Sequence, residues 1–82
     1  MGKYRFSKHA QDMMKERRIE EAWVESTLED PEREEEKEDG TIHYVRTIED
    51  RGGRYLRVLV NPGTKPKTII TAFFDRRLGR KI

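Results

Sequence analysis

Imidazole and guanidinium are the chemically versatile groups of this chain, and one stretch brings them together. Residues 6–23 read FSKHAQDMMKERRIEEAW, with His9 at the start of a helical pattern and Arg17 two turns later, ahead of the only Trp, Trp23. A histidine exchanges protons near neutral pH. An arginine holds oxyanions with a planar, two-pronged fork that lysine lacks. A second marker is Arg57 inside YLRVLV, where the alternation puts Leu56, Val58 and Val60 on a core face and Arg57 on the other. An arginine in mid-strand is costly to desolvate, so Arg57 either serves a ligand or is paired to a cross-strand acid. The only two histidines, His9 and His43, are far apart in sequence, and there is no cysteine. Neither a metal site nor a cofactor is expected.

The elements that must position these groups are few. The chain has 82 residues, of which 33% are hydrophobic and 41% charged, so one domain with a small core is expected over residues 1–82. Stability of ordinary size per residue would come to about 4–12 kcal/mol. The net charge of +2 is too low for a chain that is disordered through self-repulsion. The charge is nonetheless segregated: residues 19–39 hold 11 Asp or Glu against Arg33 and Lys37, a balance of −9, which leaves +11 for the rest. Attraction for a polyanion would therefore come from residues 1–18 and 40–82. No run of 18 apolar residues is present and the first 25 residues lack a signal-like apolar centre, so a protein of the cytoplasm, away from membranes, is expected.

A short extended segment is predicted over Lys3–Phe6, followed by Ser7 as a helix N-cap. Ala10, Met13, Met14 and Arg17 follow at helical spacing. A second helix is predicted from Ile19 to Leu28, with Ile19, Trp23, Val24, Thr27 and Leu28 on one stripe, and Asp30-Pro31 stops it. The period then drops to two. Arg33–Glu38 is charged enough for an edge strand, Asp39-Gly40 signals a two-residue hairpin, and Thr41–Ile48 alternates. Asp50, Gly52 and Gly53 mark a turn before strands at Tyr55–Val60 and Thr68–Phe74, which are joined by the loop Asn61–Pro66. The expected fold class is α+β, with two N-terminal helices packed on one face of a small antiparallel sheet.

The order FSKHAQDMMKERRI, Pro31, the Gly-Thr hairpin leading to IHYVR, then YLRVLV and TIITAFFD resembles the domain-of-unknown-function family four-two-five-eight over about residues 4–75. That family looks like a relative of the RelE, ParE and BrnT toxins, which implies a RelE-like fold whose sheet binds or cuts RNA on the side away from the helices. The positions that match are His9, Ala10, Arg17, Ile19, Arg57 and Thr71. Members often carry Gly where this chain has Arg18.

Cutting RNA without a metal needs a base, an acid and cations around a developing phosphorane. The resemblance thus makes His9, Arg17, Arg57 and Thr71 the candidate catalytic set: the imidazole for proton transfer, the guanidiniums for phosphate oxygens, Thr71 as a donor. Lys8, Arg46, Arg76 and Arg77, with Tyr44 and Tyr55 to donate or stack, complete the expected nucleic-acid-binding set. Three functions compete. They are a ribonuclease-like, toxin-related enzyme; a nucleic-acid-binding module that does not cut; and a protein-interaction domain of the toxin–antitoxin kind, whose partner is an antitoxin-like segment. In the third, the acidic run Glu29–Asp39 could shield the chain's own basic face.

Overall fold

A computed structural model describes residues 4–78. The order is β1 (Tyr4–Phe6), α1 (Lys8–Arg17), α2 (Glu21–Glu29), β2 (Arg33–Glu36), β3 (Ile42–Ile48), β4 (Arg54–Asn61) and β5 (Lys67–Phe74), with short 3-10 turns at Glu49–Arg51 and Arg76–Leu78. Lys3, expected to open the first extended segment, lies outside the described residues.

Local chemistry explains where the helices begin and end. The Ser7 hydroxyl accepts the Ala10 N–H at 3.0 Å and donates to the Ile70 carbonyl at the same distance, so one side chain caps α1 and ties it to β5. At the other end of α1, Arg18 N–H reaches the Lys15 carbonyl and Ile19 N–H reaches that of Met14 at 2.8 Å. This is a Schellman closure, which places Arg18 in the left-handed region at φ 56° and turns Ile19 into the core. α2 starts after Glu20 and ends at Asp30, as the following proline requires.

The strands form one five-stranded sheet in the order β1-β5-β4-β3-β2. From β2 to β5 it is the antiparallel meander read from the alternation. β1, however, pairs parallel to β5, Tyr4 beside Lys67 and Phe6 beside Ile69, so the sheet is mixed rather than purely antiparallel. The two helices carry the chain to the far edge and the meander walks back, so the last strand arrives beside the first with no hairpin to set its direction. The turn after β2 also differs from the two-residue hairpin. Lys37 N–H still pairs with the Thr41 carbonyl at 2.9 Å, leaving Glu38, Asp39 and Gly40 as a three-residue loop with Gly40 at φ 89°.

Ala10, Ile19, Val24 and Leu28 of the helical segment share one buried cluster with Tyr44, Ile48, Leu56, Val58, Val60, Ile69 and Ala72 of the strands. Trp23 meets Phe74 edge-on with ring centroids 6.3 Å apart, as its place in the helical stripe suggested. Between β4 and β5 the register shifts: Leu59 faces Thr71 and Val60 faces Ile69. The extra residue is Ile70, whose carbonyl takes the Ser7 hydroxyl.

Candidate functional site

Arg57 is carried on β4 between Leu56 and Val58, both fully buried in the cluster, so strand alternation turns its side chain to the opposite face of the sheet. There it is only 5% exposed and paired on two sides. Its Nε donates to Asp75 Oδ2 at 2.8 Å and its Nη1 to Glu35 Oε1 at 3.1 Å. The same Nη1 lies 3.1 Å from His43 Nδ1. A guanidinium only donates, so His43 accepts at Nδ1 and carries its proton on Nε2. Lys37 meets Glu35 at 3.0 Å, and Arg77 meets Asp75 at 3.4 Å.

The charges here hold one another in place. Lys37 and then Arg57 draw the Glu35 carboxyl down to about 2 from its ordinary 4.5. Burial pushes Asp75 up, but hydrogen bonds from Arg77 and Arg57 outweigh it and its pKa ends below the ordinary value. Burial and then the Arg57 charge lower that of His43. Burial opposes the charge on Arg57, yet the bonds from Glu35 and Asp75 raise its pKa. Part of the acidic run thus does meet a guanidinium within the same chain, through Glu35.

The other sequence-derived candidates scatter. His9 and Lys8 are exposed in the first turn of α1, and the His9 side chain makes no hydrogen bond or ion pair among the described residues. The imidazole beside Arg57 belongs to His43, which the spacing did not single out. Thr71 faces Leu59 on β5, and Tyr55 is half-buried on β4. Tyr44 is packed in the core at 6% exposure, out of reach of a ligand. Arg46 donates to the Asp30 carbonyl at 2.7 Å and pairs with its carboxylate at 3.2 Å, closing the end of α2. Arg77 is engaged with Asp75.

Arg17 and Arg76 do converge, with two arginines the sequence reading passed over. Arg17, Arg51, Arg54 and Arg76 line a cleft of about 590 Å3 together with Phe73 and Phe74. Four different elements supply the cations: the end of α1, the turn after β3, the first residue of β4 and the turn after β5. Pairing extends past the last β5 residue, with Asp75 N–H donating to the Tyr55 carbonyl at 2.8 Å, and the next residue on each side, Arg54 and Arg76, lines the cleft. Arg17 donates to the Ala72 carbonyl at 3.4 Å on the stretch of β5 beyond β1, and its guanidinium sits 6.0 Å from the Phe73 ring. The Arg51 guanidinium lies 5.6 Å from the Trp23 ring and 5.2 Å from that of Phe74, which fixes it by cation–π attraction without neutralising it. Trp23 Nε1 donates to Asp50 at 3.3 Å, holding that turn against α2. Among the described residues no carboxylate forms an ion pair with any of the four. The signal that could have found Arg51 and Arg54 is the turn DRGGR, which places a guanidinium on each side of two glycines.

The described residues contain no group of three or more His, Cys, Asp or Glu side chains able to hold a metal, and no helix long and apolar enough to cross a membrane. The model of a family named for a domain of unknown function, DUF4258, matches residues 6–74, and the chain belongs to that family. No curated protein and no solved structure matches the chain.

Proposed function

We propose that this DUF4258 protein is a nucleic-acid-binding module that takes phosphate groups of single-stranded RNA in the arginine cleft. One observation carries the reading: four guanidiniums line a single cleft and none has a carboxylate partner among the described residues. Unpaired cations gathered in a concavity focus field lines and are neutralised most readily by a polyanion. Phe73 and Phe74 complete the lining, each lying against a guanidinium that it helps hold in place, Arg17 and Arg51 respectively.

Binding without cutting is preferred because neither histidine lines the cleft, and general acid–base chemistry needs a proton carrier within reach of the phosphate. Contacts of α1 with β5, and of α2 with β3 and β4, fit two helices laid on one side of the sheet in the RelE-like manner. An RNA partner would set the protein to work in the cytoplasm.

Fluorescence anisotropy of a labelled single-stranded RNA, with chelator present, tests the reading. Saturable binding that weakens steeply with salt, the strand remaining intact on a gel, is the expected result. No binding at low salt, or isolation of the protein in a stoichiometric complex with an acidic protein partner that fills the cleft, would overturn it.

A further inference from the structure

The cleft's charge density suggests which phosphate it takes. Resting on the reading above, we infer that the ligand group is a terminal phosphomonoester at a strand end, rather than a run of internal phosphodiesters.

An internal diester brings one negative charge and two free oxygens. A monoester carries about −1.5 to −2 at pH 7 and three strong acceptor oxygens. Four guanidiniums around about 590 Å3, a volume in the range of sites for single small ligands, match the denser group better. Arg54 and Arg76 follow directly on a paired Tyr55–Asp75 position and line the same cleft, so two like charges share it, neither in an ion pair among the described residues. An anion able to accept from both at once relieves that repulsion.

The surroundings argue the same way. A groove that tracks a strand needs unpaired cations along its course. On β2, β3 and β4 and in the turn after β5 the other guanidiniums are already engaged, Arg57 by Asp75 and Glu35, Arg33 by Glu35, Arg46 by Asp30 and Arg77 by Asp75, while Arg5 on β1 donates to Thr68 beside the start of β5. The aromatic rings are also in use, since Arg51 lies over Trp23 and Phe74 and Arg17 over Phe73. A base entering the cleft finds those faces covered by guanidiniums, whereas a phosphate finds the N–H edges of the same groups. The cleft therefore reads phosphate rather than base.

The test compares three RNA strands of one sequence, bearing a 5′-hydroxyl, a 5′-monophosphate or a 3′-monophosphate, at fixed salt with chelator. At least one monophosphate strand is expected to bind about tenfold more tightly than the strand without one, as a few added charge-assisted hydrogen bonds would give. The advantage should shrink from pH 7 to pH 5, as the second ionisation near pH 6 is lost. It should also vanish in the Arg54→Gln/Arg76→Gln variant, both positions being exposed and free of ion pairs among the described residues. Inorganic pyrophosphate should compete. Equal binding of all three strands, still dependent on the cleft arginines, would overturn the terminal-phosphate inference and leave the RNA-binding reading standing. Absence of binding by any strand would overturn both.

Discussion

Arg54 and Arg57 stand three residues apart on β4 and have opposite surroundings. Arg57 is 5% exposed and spends its donors on Asp75, Glu35 and His43, whereas Arg54 is exposed, has no ion pair among the described residues and lines a cleft with three other arginines. The odd spacing sends the two side chains to opposite faces of the strand. One face meets the acidic β2 edge through Glu35, while the other opens at the sheet's end among basic turns. A guanidinium in mid-strand is conspicuous in a sequence, but its partners decide whether it belongs to the fold or is free for a ligand. Here the conspicuous arginine is the one already paired.

The largest expected effect sharpens that contrast from the buried side. Arg57→Met leaves Asp75, 4% exposed, with Arg77 as its remaining cation and should cost about 3 kcal/mol in urea unfolding, the low end for breaking a buried pair. Arg54→Gln should shift the same curve by less than about 0.5 kcal/mol, as surface substitutions do. Equal losses in the two variants would erase the distinction.

Acid unfolding probes the same network more gently. The folded-state value of Glu35 is depressed to about 2 from 4.5, so the unfolded chain takes up its proton first. Its contribution is complete above about pH 4.5 and is lost as pH falls toward about 2, and the lowered Asp75 acts in the same direction. Glu35→Gln should flatten the stability–pH curve across that window, as followed by circular dichroism. A curve of unchanged slope would mean that Lys37 and Arg57 do not hold this carboxylate.

The smallest effect concerns the turn that aims Arg17. Arg18 sits at φ 56°, a region that disfavours residues with a Cβ by about 1–2 kcal/mol and suits glycine. Arg18→Gly should raise the unfolding free energy by about 1 kcal/mol or slightly less, with RNA binding unchanged. A loss of stability would show that Arg18 makes up for its backbone strain elsewhere.

Much of the fold was readable because it rests on local chemistry. Ser7 before an apolar helical stripe, Asp30 before Pro31, and the alternation of Leu56, Val58 and Val60 each carry their cause within a few residues. The direction of β1 did not, since it depends on a pairing between residues 4–6 and 67–69 that no turn fixes. The site followed the same rule. The face of Arg57 came from alternation alone, but its neighbours came from register: β2 sets Glu35 beside His43, and β3 sets Val45 beside Arg57. The alternation therefore pointed to Arg57 and the helix start to His9, while register sets His43 beside Arg57. The cleft is assembled from positions 17, 51, 54 and 76, brought together only by the complete sheet, which is why Arg17 and Arg76 were singled out without their companions.

The most direct measurement is the salt dependence of RNA binding by the wild type and by Arg54→Gln/Arg76→Gln, with unfolding curves on the same samples. Single strands lose about 0.7 in log–log slope for each phosphate contact removed. Arg54 and Arg76 share one phosphate on this account, so the double variant should lose at least about 0.7 units of slope and bind more weakly at every salt concentration, while its unfolding midpoint stays that of the wild type. A slope and affinity identical to the wild type would contradict the account, because the phosphates would then be held somewhere other than the arginine cleft.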